Sequence, residues 1–458
     1  MPKPVIKAIM RSEDDFVRQD ATQRTKFFSA QTKQDPFAIE TEFVKARQAA
    51  KMSRLFAKPF VSSMGEHIDS VLQVETSTLS STLAFSASAD GCVKLFDLRS
   101  AQVLNSIQAH RGMVTGLQSC ADLLITCGTD NFLSYYNLVN QKLVLSHQQK
   151  LQNSPKGLGF SSTQQFALAT TAQTDIYDVQ RYDPIISYNG EQQYVAFSKT
   201  EPNLVGAVNE IRFTLFDTRM QTSALDFSTK SRLNSLVFNP FQPHQVFLAT
   251  DDTYAYSFDL RNTAKALDRY GGFPYPIISI DCSPDGRQLA LGSNEGTIQL
   301  YNVQTISREG DVYLSTLNKR VNQTIEEARA APYRFSVKST DCYHNARMGQ
   351  LNALKFSTDG YYIISGSDEG NVRCWKSKAN QQEKSVSSRQ AQAESLNSKL
   401  VNKFQNVSEL HQILNSRKLP QKIQNQKNRN MTREQGELKK IERMGKRANY
   451  LGDQVRKE

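Results

Sequence analysis

The chain has a single tryptophan, six cysteines and no long apolar run in 458 residues, and each scarcity excludes something. Cys92, Cys120, Cys127, Cys282, Cys342 and Cys374 are scattered without a CxxC pair. That argues against a zinc module or disulfide framework and favours a reducing compartment. No stretch approaches the roughly 18 apolar residues of a membrane-spanning helix. Residues 1–30 are polar and charged throughout, unlike a secretory signal peptide, so the N-x-[ST] sites at Asn322, Asn406 and Asn430 carry little weight. There is no GxxxxGK[ST] phosphate loop and no HExxH, no His/Cys/carboxylate cluster has metal spacing, and Gly157–Gly159 is a lone glycine fragment. The expectation is a protein without enzymatic activity, cofactor, metal, small-molecule substrate or membrane partner.

Charge is plentiful but unevenly placed. The chain carries a net +11. Residues 377–458 hold 18 lysines and arginines against eight acids, and residues 1–66 hold 12 against eight. The middle, 67–376, holds 26 against 29. A near-neutral centre with basic ends suggests termini that bind a polyanion or an acidic partner.

The tryptophan closes the most informative stretch, Ser365–Lys376 (SGSDEGNVRCWK). An acid and a glycine make a tight turn, and alternating residues then lead to an aromatic and a polar residue, a two-strand pattern. The same spacing, turn residue then aromatic six positions on, occurs seven times. The pairs are Asp90/Phe96, Asp130/Tyr136, Thr171/Tyr177, Glu210/Phe216, Asp252/Phe258, Glu295/Tyr301 and Glu369/Trp375. Only 9% of residues are aromatic, so seven coincidences are not chance. The first six copies lie 40, 41, 39, 42 and 43 residues apart, and the last interval is 74. Short apolar strands precede each turn, among them Leu83–Phe85, Leu123–Thr126 and Tyr362–Ile364, with hairpin turns at Ser283–Gly286 and Ser357–Gly360.

Four strands in a 40–45-residue period resembles the WD-repeat family over residues 67–376. The fold class expected is all-β, a seven-bladed WD40 propeller assigned to 63–376, between an N-terminal extension (1–62) and a helical basic tail (377–458). One repeat cannot bury both faces of its sheet; seven in a ring can. Ring closure is expected from a strand at 56–61, with Phe56, Phe60 and Val61 pairing onto the sheet that holds Trp375. The extension contains a predicted helix at 36–54, started by Asp35-Pro36 and striped by Ile39, Phe43, Ala46 and Ala50. The long interval predicts an insertion at 307–343 between blades six and seven, with a helix at 322–331. Residues 395–416 carry Leu396, Leu400, Phe404, Val407, Leu410 and Leu414 at helical spacing. That amphipathic helix needs the propeller or another protein as partner. A second helix is expected at 432–448.

His67, His110 and His344 precede the turn acids Asp90, Asp130 and Glu369 by 23, 20 and 25 residues. With nearby hydroxyls they imitate hydrolase machinery. In WD repeats, however, such residues form buried structural networks, and a set that recurs in several blades is not a catalytic triad. Three repeats end in Phe-Asp-x-Arg, at Arg99, Arg219 and Arg261. The arginine is read first as a clamp on its neighbouring acid. The motif is also similar to the W-D-x-R of WD proteins that serve as substrate receptors for cullin-RING ubiquitin ligases, which implies a possible ligase-adaptor contact.

The flanks are more specific. Arg11–Phe16 (RSEDDF), Arg54–Phe60 (RLFAKPF), Tyr343–Met348 (YHNARM), Gly366–Lys376 and Arg417–Pro420 (RKLP) before a basic stretch are similar to the SOF-domain family across nearly the whole chain. That resemblance implies a nucleolar, non-catalytic ribosome-biogenesis factor of the small-subunit processome, the U3 small nucleolar RNP assembly that matures the 18S precursor. Its implied partners are processome proteins, pre-rRNA and U3 small nucleolar RNA, with a cullin-RING ligase adaptor as the alternative. Lys403, Arg417, Lys418, Lys422, Lys427, Arg429, Arg433, Lys439, Lys440, Arg443, Lys446 and Arg447 are the candidates to neutralise RNA phosphates.

Overall fold

The structure, a computed structural model, describes residues 37–303 except 79, 180, 264 and 272, residues 333–380 except 338 and 346, residues 387–415, and 423–426, 428–430, 432, 433 and 436. The chain divides into two units, 1–57 with 382–416 and 58–381 with 417–458. Among the described residues no helix is long and apolar enough to cross a membrane.

The second unit holds a seven-bladed β-propeller. After β1 (Phe60–Gly65), blade one comprises β2 (Val71–Thr76), β3 (Leu83–Ser88), β4 (Cys92–Asp97) and β5 (Gln102–Gln108). Blade two is β6 (Val114–Cys120), β7 (Leu123–Gly128), β8 (Phe132–Val139) and β9 (Lys142–Lys150). Blade three is β10 (Pro155–Phe160), β11 (Gln165–Thr170), β12 (Gln173–Asp178) and β13 (Arg181–Asn189). Blade four is β14 (Tyr194–Phe197), β15 (Leu204–Asn209), β16 (Arg212–Asp217) and β17 (Ser223–Ser228). Blade five is β18 (Leu233–Phe238), β19 (Gln245–Thr250), β20 (Tyr254–Asp259) and β21 (Ala266–Gly271), with β25 (Tyr333–Val337) added outside. Blade six is β22 (Ile277–Cys282), β23 (Gln288–Ser293), β24 (Thr297–Asn302) and β26 (Asp341–His344). Blade seven is β27 (Leu351–Phe356), β28 (Tyr362–Ser367) and β29 (Asn371–Lys376), with β1 outside them.

Every repeated aromatic lies on the third strand of its blade. Neighbouring blades cover both faces of these strands, so their polar positions are buried with the apolar ones; Val93 to Phe96, Lys94 included, are all buried. Seven apolar clusters fill the seven junctions between blades. First strands also hydrogen-bond across the junctions. Asn234 Nδ2 donates to Ile277 O at 2.7 Å, and Asn352 Nδ2 to Val71 O at 3.2 Å. The turns between second and third strands need left-handed backbone. Gly91 (φ 80°) and Gly370 (φ 78°) take it, and a Cβ at either would strike a carbonyl of the loop that leads into the next blade of the ring, His110 O or His67 O.

Two expectations need correction. The strand outside β29 begins at Phe60, not at residue 56. Phe60 opposes Trp375 and Met64 opposes Val372. Phe56 instead caps the preceding helix, its N–H donating to Met52 O, and its side chain is exposed. The helix runs to Leu55 and takes Phe56 as its cap, so the chain becomes extended only around Pro59. The insertion, secondly, does not separate blades six and seven. It interrupts blade six, leaving after β24 and returning before β26, which pairs antiparallel to β24 with Thr297 opposite His344. On its way back β25 pairs parallel to β21 of blade five, Ala266 opposite Tyr333 and Tyr270 opposite Val337. The repeat had been measured from third-strand aromatics, and a blade's fourth strand follows that aromatic. The proposed helix at 322–331 lies outside the described residues.

The first unit is helical: α1 (Ala38–Leu55), α2 (Ser388–Phe404) and α3 (Ser408–Asn415). Ser387 caps α2 by accepting from Gln390 N. The predicted single helix at 395–416 thus starts earlier and breaks before α3. Its apolar side is covered by α1. Ala46, Ala50 and Leu410 are fully buried together, with Phe43, Leu400, Phe404 and Leu414 packed around them. Phe43 and Phe404 meet edge to face at 5.7 Å, and Arg47 and Lys403 pair with Glu409 and Glu42 at 3.2 and 2.6 Å. The chain's N- and C-terminal extensions therefore share one small core. Leu396 and Ile39, both counted in the apolar stripes, remain exposed.

Candidate functional site

Among the described residues, the histidine networks have a catalytic-looking geometry. His67 Nδ1–H donates to Asp90 Oδ2 at 3.4 Å, and Nε2 accepts from Ser86 Oγ at 2.6 Å. In blade two, His110 repeats this with Asp130 (3.0 Å) and Thr126 (2.9 Å). The turn acids also accept backbone N–H bonds, Asp90 from Cys92 at 2.8 Å and Asp130 from Phe132 at 3.2 Å. Burial lowers both imidazole pKa values against the upward pull of the acids, so the rings are neutral. Ser86 and Thr126 are wholly buried, which leaves no room for a substrate at the hydroxyl. These are braces that tie the loop before each blade to the turn within it.

His344 does not join such a brace. It ends β26, and Glu369 is held by Arg373 instead. The buried Arg373 guanidinium donates to Glu369 Oε2 and Ser367 Oγ, both at 2.8 Å, and to Arg347 O at 3.1 Å. A basic residue on the third strand is thus structural here. Its signal was present in blade one, where Lys94, at the same strand position, donates to Glu66 O at 2.5 Å.

Sequence reasoning also missed a charged cluster on the first strands. Lys355 Nζ of β27 lies 3.2 Å from Glu75 Oε2 of β2, and Asp281 of β22 accepts from Phe356 N at 2.6 Å. Burial would depress the Lys355 ammonium, but the carboxylates of Glu75 and Asp281 outweigh it and leave its pKa above the ordinary lysine value. These residues, with Lys199, line a pocket of about 150 Å³. The cluster joins blades one, six and seven.

The three Phe-Asp-x-Arg arginines differ. In each, the backbone N–H donates to the aspartate two residues back at 3.0 Å. Arg261 also grips Asp259 with two guanidinium bonds of 3.2 Å, the clamp expected. Arg219 donates from its guanidinium to the side-chain oxygen of Asn203. Arg99 is exposed.

Of the candidate RNA-binding residues, Lys403 belongs to the helical unit and is paired with Glu42. Arg429 and Arg433 are exposed and helical. Arg417, Lys418, Lys422, Lys427, Lys439, Lys440, Arg443, Lys446 and Arg447 lie outside the described residues, as does most of the helix expected at 432–448. Nearby, Ile423 is buried, and Asn430 Nδ2 donates to Pro274 O at 3.0 Å, on the loop between blades five and six. Among the described residues no group of His, Cys and carboxylates could hold a metal ion.

Residues 377–457 match the Sof1-like domain, and residues 267–302 and 340–376 match the WD domain, G-beta repeat. The chain thus carries WD repeats followed by a Sof1-like segment. Neither matched family is a catalytic one. The Sof1-like segment supplies both α2 and α3 of the helical unit and the stretch around Asn430 in the propeller unit. Relatives cover nearly the full length. DDB1- and CUL4-associated factor 13 of Danio rerio is 28% identical over 96% of this chain and 93% of its own. Protein SOF1 of Saccharomyces cerevisiae is 26% identical over 91% of this chain and 86% of its own. The Dictyostelium discoideum factor 13 is 27% identical over 91% and 90%.

Proposed function

We propose that this WD-repeat, Sof1-like chain is a non-catalytic ribosome-biogenesis factor, a nucleolar scaffold in the small-subunit processome that supports 18S pre-rRNA processing and 40S assembly. The observation that carries the reading is the Sof1-like domain placed directly behind a seven-bladed propeller, in the segment that holds most of the chain's excess positive charge. The propeller offers a rigid ring with a near-neutral charge balance, and the basic segment offers cations for phosphate neutralisation. Arg429 and Arg433 are the described residues best placed to contact pre-rRNA or U3 small nucleolar RNA. Affinity purification of the full chain tests the reading. Recovery of 18S precursor and U3 RNA with processome proteins supports it, and their absence from a well-expressed bait overturns it. RNA binding should fall steeply with salt, and Arg429→Glu with Arg433→Glu should flatten that slope by about two units if both neutralise phosphates.

A second reading, a substrate receptor of a cullin-RING ligase, is favoured by the names of several relatives and by the exposed Arg99. Arg261, already bound to Asp259, is less available for an adaptor, and Arg219 faces Asn203. The same purification separates the two: cullin and adaptor, lost on Arg99→Ala, mark the second.

A further inference from the structure

A sheet that ends at a strand leaves a row of backbone donors and acceptors unpaired, and proteins usually blunt such edges with proline, charge, irregularity or a covering segment. The outer strands of this propeller mostly show those devices. β13 carries Pro184 and two breaks of register. β26 is four residues long, and β17 is short and carries Asp226. β5 directs Gln102, Ser106 and Gln108 outward. The edge of β21 is covered by β25, a fifth strand from a distant part of the same chain.

The edge of β9 is different. It is nine residues long, has no proline, has a single break of register between Leu145 and His147, and among the described residues has no strand beyond it. Val144 and Leu145 on it, and Val139 just before it, are each more than half exposed. Tyr135, His147 and Tyr182 form an aromatic cluster beside it, with His147 and Tyr182 rings 3.9 Å apart. Lysines dominate along the strand itself, although Asp122, whose carbonyl accepts from Leu138 N, and Asp130, bound to His110, lie elsewhere in blade two. No carboxylate occurs in sequence between Asp130 and Asp175, while the exposed Lys142 and Lys150 stand at the two ends of β9 and Lys156 follows on β10. Arg181 and Asp183 on the neighbouring β13 offset one another.

We propose that the free edge of β9 is a docking site for an extended segment of a partner protein, apolar in its middle and acidic towards its ends, which adds to blade two as a fifth strand. Main-chain hydrogen bonds supply the attachment, the apolar centre covers Val144 and Leu145, and Lys142 and Lys150 select carboxylates at the flanks. Blade five shows that an outer edge of this propeller accommodates an added strand.

The probe is a fluorescein-labelled nonapeptide of alternating valine and threonine with two aspartates at each end. It is tested against the full chain by anisotropy and by hydrogen exchange of the β9 amides. It should bind, slow exchange over 142–150, and bind roughly tenfold more tightly than a lysine-ended version. Lys142→Glu with Lys150→Glu should reverse that preference, and N-methylation of alternate peptide amides should abolish binding. No binding, protection elsewhere, an unchanged preference in the charge-reversed variant or full binding of the N-methylated peptide overturns the proposal. So does a dimer of the chain that Val144→Lys dissolves, since the edge would then belong to a second copy. Should a substitution prevent folding, the comparison of peptides on the unaltered chain decides alone.

Discussion

Phe60 stands edge-on to Trp375, ring centroids 5.3 Å apart, and the two residues are opposite each other in the pairing of β1 with β29. Tyr343 of blade six stacks against the same indole at 5.8 Å. The only tryptophan thus sits between the strand that closes the ring and the blade before it. Met64 of β1 completes the cluster between blades seven and one, beside Val71, Val74 and Ile364. Closure is therefore a hydrophobic joint as well as a set of backbone bonds.

Phe60→Ala should destabilise the propeller by about 1–2 kcal/mol in urea unfolding, since an aromatic pair contributes about 0.5–1.5 kcal/mol beyond buried area and Phe60 is partly exposed. Phe56→Ala, outside the strand, should leave that transition unchanged. Deleting residues 58–65 should lower both the midpoint and the cooperativity. Equal effects of the two phenylalanine substitutions would contradict this closure.

Blade seven depends on Arg373 where blades one and two depend on histidine. Arg373→Met leaves Glu369 without its cation and Ser367 without its donor, at a cost of about 2–3 kcal/mol. Arg373→Lys should recover little, because one ammonium cannot reproduce three directed guanidinium contacts. Chemical denaturation of the three proteins checks both statements.

The histidine braces make stability depend on pH. Their folded pKa values lie below the ordinary 6.5, so the unfolded chain binds protons more readily. The contribution is complete above about pH 6.5 and is lost as the pH falls through the folded values, by up to about 1.4 kcal/mol per pH unit for each ring. His67→Gln with His110→Gln should lower stability at pH 7.5 and flatten its decline between pH 6.5 and 5. An unchanged slope would show that the rings are not the titrating groups.

The parts of the fold visible in the sequence were those with a local period. Phe96, Tyr301 and Trp375 could be found because each junction between blades demands a large buried ring at the same strand position. What stayed hidden were choices between distant partners of similar chemistry. Nothing near Tyr333 announces that its strand will join blade five, since any apolar strand fits an open edge. Arg373 and Lys355 looked like solvated charges, because their partners arrive from other loops and blades. The cationic edge of β9 was equally silent, because exposure is a property of the assembled ring.

The clearest case of a hidden partner is Leu410. Its helical stripe was legible, but its cover, Ala46 and Ala50, lies in a segment far earlier in the chain. All three are buried almost completely, and the two alanines let the helices approach closely. Leu410→Ala removes the largest member of a small core and should cost about 2–4 kcal/mol locally. A unit with so small a core has little stability to lose. Hydrogen exchange should therefore show amides of 388–415 and 38–55 losing protection together, while those of β11 and β23, in the propeller core, keep theirs. Ala46→Leu should produce the same pattern by overpacking. Loss of protection confined to 408–415 would mean that α1 and α2 hold without α3, and that the shared core is smaller than the contacts of Leu410 indicate.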